Sequence, residues 1–322
     1  MPPDTALIPA PADLHPLIAL IANSVPSPHS KRAYSCAIAR FLTWAQEDPR
    51  RQFTRATVHE YRSKLETEEK RTQTITSAMV AIRALAREAR DAGILDPWVA
   101  QGIVEVKSPQ NLGKRKGNWL TMKQARELLA IPNQNTVRGA RDFVVLGLMI
   151  GTGMRLEEIS RLNIEDLRKR EGRMCIVDMV GKGRRVRTIP VARWLEDGIL
   201  RWLVAAKLER TGPLIRRLYV NRDINEDRSW FVMPWQDPDN VPPKCLYDIV
   251  RKAANKAGFH DISPHDLRRT FARLCMKRDG RLEQIQAVLG HSSIRTTSLY
   301  IGIDLDLDKP ITDCISMGGQ GD

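Results

Sequence analysis

The chain has 322 residues, 42% of them hydrophobic and 28% charged, which is the composition of a globular protein and the length of two ordinary domains. Its 51 lysine and arginine residues exceed its 38 aspartate and glutamate residues, which gives a net charge of +13 at pH 7. This excess favours a polyanionic partner, nucleic acid before a membrane surface, although basicity alone does not establish one.

The cysteines and the N-terminal residues exclude several protein classes. The five cysteines never form a Cys-x-x-Cys pair, which argues against a disulfide framework or a zinc site. We expect reduced thiols in a cytoplasmic protein, with Cys36 and Cys275 in the core. Residues 1–26 carry one short apolar run, Leu17 to Ala22, that cannot span a bilayer. They are predicted to form a disordered, proline-rich lead-in, and no membrane partner is expected.

Residues 27–106 predict a compact helical N-terminal domain of about four helices. Apolar residues recur at helical spacing in three segments, and a last apolar stretch from Trp98 to Val106 closes the domain. The three segments are predicted to begin at Ser30, at Thr54 or Thr57, and near Thr74. No motif of catalytic type is recognised in the sequence of this domain.

Basic residues decorate this domain and continue into a glycine- and proline-containing linker over residues 107–117. Taken singly, most of them are typical of a solvated surface, and a charged linker can simply be flexible. Together they suit contact with a phosphate backbone, which gives affinity but little sequence specificity. The candidate DNA-binding residues are Lys31, Arg32, Arg83, Lys114, Arg115 and Lys116, and further along the chain Arg184 and Arg185.

A second domain is predicted over residues 118–303, beginning with a helix capped by Thr121. A buried helix over Asp142 to Ile150 follows, because its residues are apolar almost all round. After a Gly-Thr-Gly sequence, Arg155 starts another helix beside free backbone N–H groups, which can bind an anion. Glu158, three residues on, can hold that guanidinium through a bidentate pair.

A β-hairpin is predicted in the middle of this second domain. Its strands are Met174 to Val180 and Val186 to Pro190, around the turn Gly181 to Arg185. Lys182 lies between two glycines there; such a lysine is usually solvated, but it can also approach a ligand closely. Further helices are predicted over residues 195–208 and 244–257, and no role is assigned to residues 213–243. The fold class is therefore mostly α with a small β-hairpin or sheet, α+β.

Four polar side chains of catalytic type lie close together near the C-terminus. His265 and Arg268 are three residues apart, on one face of a predicted helix. His291 follows a Leu-Gly helix end, and Tyr300 comes nine residues later. Each residue alone has an ordinary structural explanation, but all four would then stand at these spacings by accident. An arginine that binds phosphate, two imidazoles and a phenol are what attack of a tyrosine on a phosphodiester requires.

These motifs resemble those of the tyrosine recombinases, the phage-integrase and Xer-type family. His265-Asp-Leu-Arg268, Leu289-Gly-His291 and Tyr300 are similar to its C-terminal catalytic box. Gly151-Thr-Gly-Met-Arg155-x-x-Glu158 resembles its first box, and Lys182 resembles its hairpin lysine. Residues 27–106 resemble its helical core-binding domain more weakly.

The resemblance implies a site-specific DNA recombinase with a catalytic domain at 118–303 and an acidic tail at 304–322. Tyr300 would attack the scissile phosphate and leave a 3′-phosphotyrosyl bond, while Arg155 and Arg268 clamp the phosphate oxygens. His265 would act on the tyrosine proton, His291 would hydrogen-bond the phosphate, Lys182 would protonate the leaving 5′-oxygen, and Glu158 would support Arg155. No metal, ATP or other cofactor is implied.

The implied partner is double-stranded DNA, bound by a homotetramer or by a hetero-tetramer with a paired recombinase. One alternative is a type IB-like topoisomerase, which shares the chemistry but relaxes supercoils. The other is a non-catalytic DNA-binding protein on the same scaffold, against which the retention of all six catalytic-type residues argues. The tail could dock on a neighbouring protomer or remain unstructured.

Overall fold

The computed structural model describes residues 14–25, 27–109, 118–181, 185–208, 211–220, 230–231, 240–291, 293–294 and 297–298. The chain divides into two compact units, residues 1–114 and residues 115–322. Within the described residues, no helix is both long enough and apolar enough to cross a membrane.

The described part of the first unit is helical. Its helices are α1 Leu17–Ser24, α2 Pro28–Gln46, α3 Arg55–Thr67, α4 Thr72–Asp91 and α5 Pro97–Val104. Most of the apolar face of α4 is buried, and four aromatic rings pack together beside it, with the centroids of Phe41 and Tyr61 5.2 Å apart. Hydrophobic burial therefore holds this unit together.

The prediction of a disordered lead-in was wrong for residues 14–24. Leu14, Leu17 and Ile21 are buried in the core of the first unit, and α1 packs against α2 and α4. Their spacing of three and four residues puts the three side chains on one helix face. The apolar run is too short to span a bilayer, but two turns suffice for a helix whose stability comes from packing. Residues 1–13 lie outside the described residues.

Two predicted details of α2 also need correction. Ser27, and not Ser30, is the N-cap, because its hydroxyl accepts a hydrogen bond from the backbone N–H of Ser30. Pro28 then occupies the first helical position, where its missing N–H costs nothing. Cys36 is exposed on this helix, although it was expected in the core.

The second unit combines helices with a small sheet. Its helices are α6 Met122–Ala130, α7 Val137–Thr152, α8 Leu156–Ser160, α9 Arg193–Ala205, α10 Pro243–Lys256, α11 Pro264–Met276 and α12 Leu282–Leu289. Its strands are β1 Leu167–Arg170, β2 Arg173–Val180 and β3 Val186–Pro190, with a short pair, β4 Tyr219–Val220 and β5 Trp230–Phe231. The prediction of a mostly helical α+β fold is confirmed.

Helix α7 forms the centre of the second unit. It is buried along most of its length and packs against α9 and α11, as its almost uniformly apolar sequence predicts. It ends at Gly153, whose φ of 64° is a left-handed conformation that a glycine adopts without strain. This turn brings Arg155 out of the core at the start of α8.

The predicted hairpin is confirmed as β2 and β3, and β1 extends it to an antiparallel sheet in the order β1-β2-β3. Strand β1 was missed because its sequence, Leu-Arg-Lys-Arg, has no alternation of apolar and polar residues, and only Leu167 is partly covered. The β2–β3 register shifts between Ile176 and Met179, where Asp178 adopts a φ of 53°. This irregularity bends the strand that leads into the hairpin turn.

The burial of α1 leads to a first prediction. Replacing Ile21, which is 1% exposed, with alanine should destabilise the first unit by about 2–4 kcal/mol, because it removes buried methylene groups and leaves a cavity. The measurement is hydrogen exchange of the α2 and α4 amides in the full chain. The matched control is Leu20→Ala, since Leu20 is 53% exposed and should change the free energy of unfolding by less than about 0.5 kcal/mol. Equal effects of the two substitutions would contradict the packing of α1.

Candidate active site

The first turn of α11 holds two of the candidate residues, His265 and Arg268, and it is fixed by a capping carboxylate. Asp266 accepts hydrogen bonds from the backbone N–H and the hydroxyl of Ser263, which completes a capping box. Its other oxygen accepts from the backbone N–H of Asn118 at 3.0 Å. The aspartate of the His-Asp-Leu-Arg motif therefore orients the turn that carries both candidates.

A second hydrogen bond joins the start of the second unit to α11, one turn further along the helix. The backbone N–H of Leu120 donates to the hydroxyl of Thr270 at 2.9 Å, and Thr270 is fully buried. Two backbone N–H groups at the start of the second unit are thus satisfied by side chains of α11.

Arg268 is buried at the centre of the candidate site, with only 1% of its surface exposed. Its guanidinium donates to the carbonyl oxygens of Gly153 and Leu289, and its Nη2 lies 3.2 Å from Nε2 of His291. These partners belong to the end of α7 and the end of α12. One side chain on α11 therefore joins two helix termini and fixes the segment that carries His291.

The hydrogen bonds of His291 identify its tautomer. An arginine can only donate, so Nε2 of a neutral His291 must accept from Arg268 and carry no proton. The proton then lies on Nδ1, which donates to the hydroxyl of the buried Thr297 at 3.0 Å. Thr297 was not among the predicted site residues, because in the sequence it is one polar residue in a run of several.

The environment of His291 keeps its imidazole neutral. Burial, followed by the positive charges of Arg268 and Arg155, lowers its pKa from 6.5 to about 4, and His265 and Arg187 act in the same direction. Arg155 and His265 can lower this pKa only if they lie close to the His291 ring. The four predicted residues Arg155, His265, Arg268 and His291 are therefore neighbours in the folded chain.

His265 lies at the edge of this cluster. The residue is exposed to solvent. Partial burial nevertheless lowers the pKa of its imidazole below the usual 6.5, and the positive charges of Arg269 and Arg268 lower it further. At neutral pH it is predominantly an uncharged base, able to accept a proton.

Arg155 is held by Glu158, as predicted, but not through a bidentate pair. One carboxylate oxygen accepts from the Arg155 guanidinium at 3.0 Å. The other accepts from the Arg155 backbone N–H at 2.8 Å and from Nη2 of Arg187 at 2.8 Å. The predicted geometry was wrong because a second arginine, Arg187, also binds this carboxylate.

The buried carboxylate of Glu158 remains ionised. Burial raises its pKa, but the hydrogen bonds from Arg187 and from the Arg155 backbone, together with both arginine charges, outweigh burial and lower the pKa below 4.5. One anion between two cations leaves a net positive charge beside the candidate site.

Arg187 on β3 is another residue of the candidate site that was not predicted from the sequence. It precedes Ile189 by two residues, and Ile189 is fully buried, so strand alternation points both side chains to the inner face. This alternation was a usable signal, because an arginine on the buried face of a strand requires an acidic or carbonyl partner.

The structure does not place the remaining predicted residues in this cluster. Lys182, Arg184, Tyr300, Lys114, Arg115 and Lys116 lie outside the described residues. Arg185 is exposed next to β3, and Lys31 and Arg32 lie near the N-terminus of α2, half-buried and exposed respectively.

Arg83 has partners within its own unit. Its guanidinium donates to the carbonyl oxygens of Met79 and Val106 and to the hydroxyl of Ser108. In this arrangement Arg83 fixes the chain that follows α5, a role that the sequence reasoning did not foresee.

The low pKa of His291 leads to a second prediction. Nuclear magnetic resonance of the imidazole nitrogens should give a protonation midpoint near pH 4 and a neutral ring protonated on Nδ1. His291→Asn identifies the signal by its loss. A midpoint at or above 6.5 would contradict the buried, cation-flanked environment.

Because the pKa of His291 is lowered in the folded chain, the free energy of unfolding should depend on pH. The folded-state pKa of about 4 lies below the ordinary 6.5, so between these values the unfolded chain binds the proton more tightly. The contribution of His291 to stability is therefore complete above about pH 6.5 and is lost as the pH falls towards 4. Urea denaturation of wild type and of His291→Asn across this range should show a steeper loss in wild type.

Family models match both units of the chain. The model of the phage integrase family matches residues 118–305, and that of the phage integrase N-terminal SAM-like domain matches residues 17–93. The second match includes α1, in keeping with its packing in the first unit.

Curated relatives align over most of the chain. A tyrosine recombinase XerC of Pseudomonas fluorescens is 26% identical over 281 residues, covering 86% of both proteins. The XerC of Thermodesulfovibrio yellowstonii is 25% identical over 280 residues, covering 87% of both. The XerD of Shewanella oneidensis is 27% identical over 199 residues, covering 62% of this chain and 61% of the relative.

Solved structures share the fold at lower identity. The XerH recombinase in its post-cleavage complex with a palindromic difH substrate has a TM-score of 0.67 and 20% identity, covering 91% of this chain and 81% of that one. A lambda integrase dimer bound to a COC′ core site has a TM-score of 0.66 and 14% identity, covering 90% and 94%. Both likenesses concern the fold.

Proposed function

The chain belongs to the phage integrase family, and from this membership we propose how its residues carry out site-specific recombination of DNA. The enzyme cleaves and rejoins DNA strands. The observation that carries the proposal is the convergence of Arg155, His265, Arg268 and His291, contributed by three separate segments, around one electropositive site.

The arginines would bind the scissile phosphate. Arg155 is partly exposed and donates to one oxygen of Glu158, so other donors of its guanidinium can contact a phosphate oxygen. Arg268 lies deeper, where its charge is little screened by water and acts more strongly on a nearby anion. Together they would stabilise the negative charge that grows in the pentavalent transition state.

The covalent step would be carried out by Tyr300, Lys182 and His265. The oxygen of Tyr300 attacks phosphorus and forms the 3′-phosphotyrosyl bond, while the bond from phosphorus to the 5′-oxygen breaks. His265 takes the tyrosine proton, and Lys182 gives a proton to the departing 5′-oxygen. Rejoining is the reverse attack by a 5′-hydroxyl, which needs no ATP because the phosphotyrosyl bond retains the energy of the broken bond.

His291 would change its protonation when the phosphate binds. In the described state its Nε2 accepts from Arg268 and cannot donate. The negative charge of a phosphodiester favours the protonated ring, so Nε2 can gain a proton and donate to a phosphate oxygen. The low pKa in the free protein then makes this protonation dependent on DNA.

We propose the following division of the chain. Residues 27–106 form the core-binding domain, 107–117 the linker, 118–303 the catalytic domain and 304–322 the tail. DNA is the partner, and we expect double-stranded sites bound by four protomers, either identical or paired with a second recombinase. The curated relatives are named recombinases, which favours strand exchange over the topoisomerase alternative.

A third prediction tests the nucleophile. Nicked duplex fragments from around the encoding locus, incubated with the full chain in EDTA, should give a covalent protein–DNA product on a denaturing gel. Tyr300→Phe should abolish this product, because it removes the attacking oxygen while preserving the ring. Tyr219→Phe is the matched control, since Tyr219 is an exposed residue of β4 that belongs to none of the predicted motifs, and this variant should cleave as wild type does.

Two results would contradict this proposal. A covalent product that survives Tyr300→Phe would assign the nucleophile to another residue. Tight duplex binding by wild type, without covalent product on any fragment and with no gain on adding a paired recombinase, would indicate a DNA-binding protein without cleavage activity.

A further inference from the structure

Arg187 connects three segments of the candidate site. It lies on β3, and 7% of its side chain is exposed. Its Nη2 donates to Glu158 at 2.8 Å, and its Nε donates to the carbonyl oxygen of Val288 at 2.8 Å. The sheet, the start of α8 and the end of α12 therefore meet at one guanidinium.

We propose that Arg187 is a positioning residue for DNA cleavage, which controls how Glu158 holds Arg155. The inference rests on the proposed function, since it concerns the arginine assigned there to the scissile phosphate. Arg187 does not itself touch the phosphate in this proposal. It acts through the carboxylate, and through Val288 it also fixes the chain that leads to His291.

The geometry at Glu158 gives the reason. Arg155 is the N-cap of α8 and Glu158 is the third residue of that helix. An arginine beside a free carboxylate frequently forms a bidentate pair, which uses two guanidinium donors. Here one oxygen of Glu158 is taken by Arg187 and by the Arg155 backbone, so the Arg155 guanidinium is held at the other oxygen, 3.0 Å away. By competing for the carboxylate, Arg187 leaves donors of Arg155 for a phosphate.

Charge supports the same assignment. A lone Arg155–Glu158 pair would have no net charge, whereas the triad with Arg187 carries one positive charge. That charge is buried and therefore weakly screened. The site thus retains an electropositive character that a bidentate ion pair would cancel.

Burying the charged guanidinium of Arg187 costs free energy, which argues against a role in stability alone. Its Nη1 is buried and has no hydrogen-bond acceptor among the described residues. A Cβ on Gly181 would lie 2.5 Å from this atom, and one on Gly290 would lie 3.0 Å from it, so two glycines make room for it. Apolar side chains fill such a space at a lower free-energy cost than a cation.

The test is single-turnover cleavage of a nicked duplex that gives a covalent product with wild type, measured across protein concentrations. Arg187→Gln should lower the cleavage rate at saturating protein by about 10- to 100-fold, because Arg155 is misplaced. The half-saturating concentration should change by less than about threefold, since other phosphate contacts remain. Arg187→Lys should recover part of the rate, because it restores the ion pair with Glu158 but not the bond to Val288.

Two further variants separate positioning from stability. Arg173→Gln removes an exposed arginine from the neighbouring strand β2 and should cleave at the wild-type rate. If Arg187 acts through Glu158, the double variant Arg187→Gln/Glu158→Gln should cleave no more slowly than the slower single variant. All variants are compared at temperatures where circular dichroism shows them folded.

Several outcomes would overturn the inference. Wild-type cleavage by folded Arg187→Gln would remove any role in the reaction, and additive losses in the double variant would remove Glu158 as the intermediary. If Arg187→Gln does not fold while Arg187→Lys folds and cleaves at the full rate, Arg187 is a stabilising residue only. A wild-type protein that never forms the covalent product overturns the proposed function as well, whereas the other outcomes leave that function intact.

Discussion

The arrangement of the site depends on a buried cation that two helices require. Helices α7 and α12 end with carbonyl groups that have no donor within the helix, and the guanidinium of Arg268 donates to carbonyl oxygens at both ends. A buried arginine cannot shed its charge and needs such acceptors, while the negative ends of helix dipoles favour a cation. The buried guanidinium therefore gains acceptors, and the helix-end carbonyl groups gain donors. The glycines Gly153 and Gly290 turn the chain immediately afterwards, and the turn at Gly290 places His291 against the same guanidinium.

The site separates positive charge from proton transfer. Arginine is the side chain that proteins do not deprotonate, whereas burial and the neighbouring positive charges lower the pKa of both imidazoles. In the proposed mechanism the arginines bind the phosphate directly, whereas His265 accepts a proton and His291 contacts the phosphate only after it has gained one. Because an incoming phosphodiester offsets the positive potential, the bound substrate itself alters the protonation of the imidazoles.

Strong local patterns in the sequence predicted the fold, and spacing predicted most of the site. The uniformly apolar α7, the hairpin and the His-x-x-Arg turn each follow from residues close together in the chain. The carboxylate of Asp266, the hydroxyl of Thr297 and the guanidinium of Arg187 were missed because their partners are set by the folded chain. Asp266, for instance, bonds to Asn118, which lies 148 residues away. Strand β1 and helix α1 were missed for another reason, since pairing and packing stabilise them despite weak sequence patterns.

The bonds from Asn118 and Leu120 attach the first described residues of the second unit to α11. The backbone N–H of Asn118 is bonded to the capping aspartate, Asp266, although the two lie 148 positions apart in the chain. That aspartate holds the turn bearing His265 and Arg268. The position of His265 and Arg268 therefore depends on a stretch of the chain that contributes no candidate residue of its own.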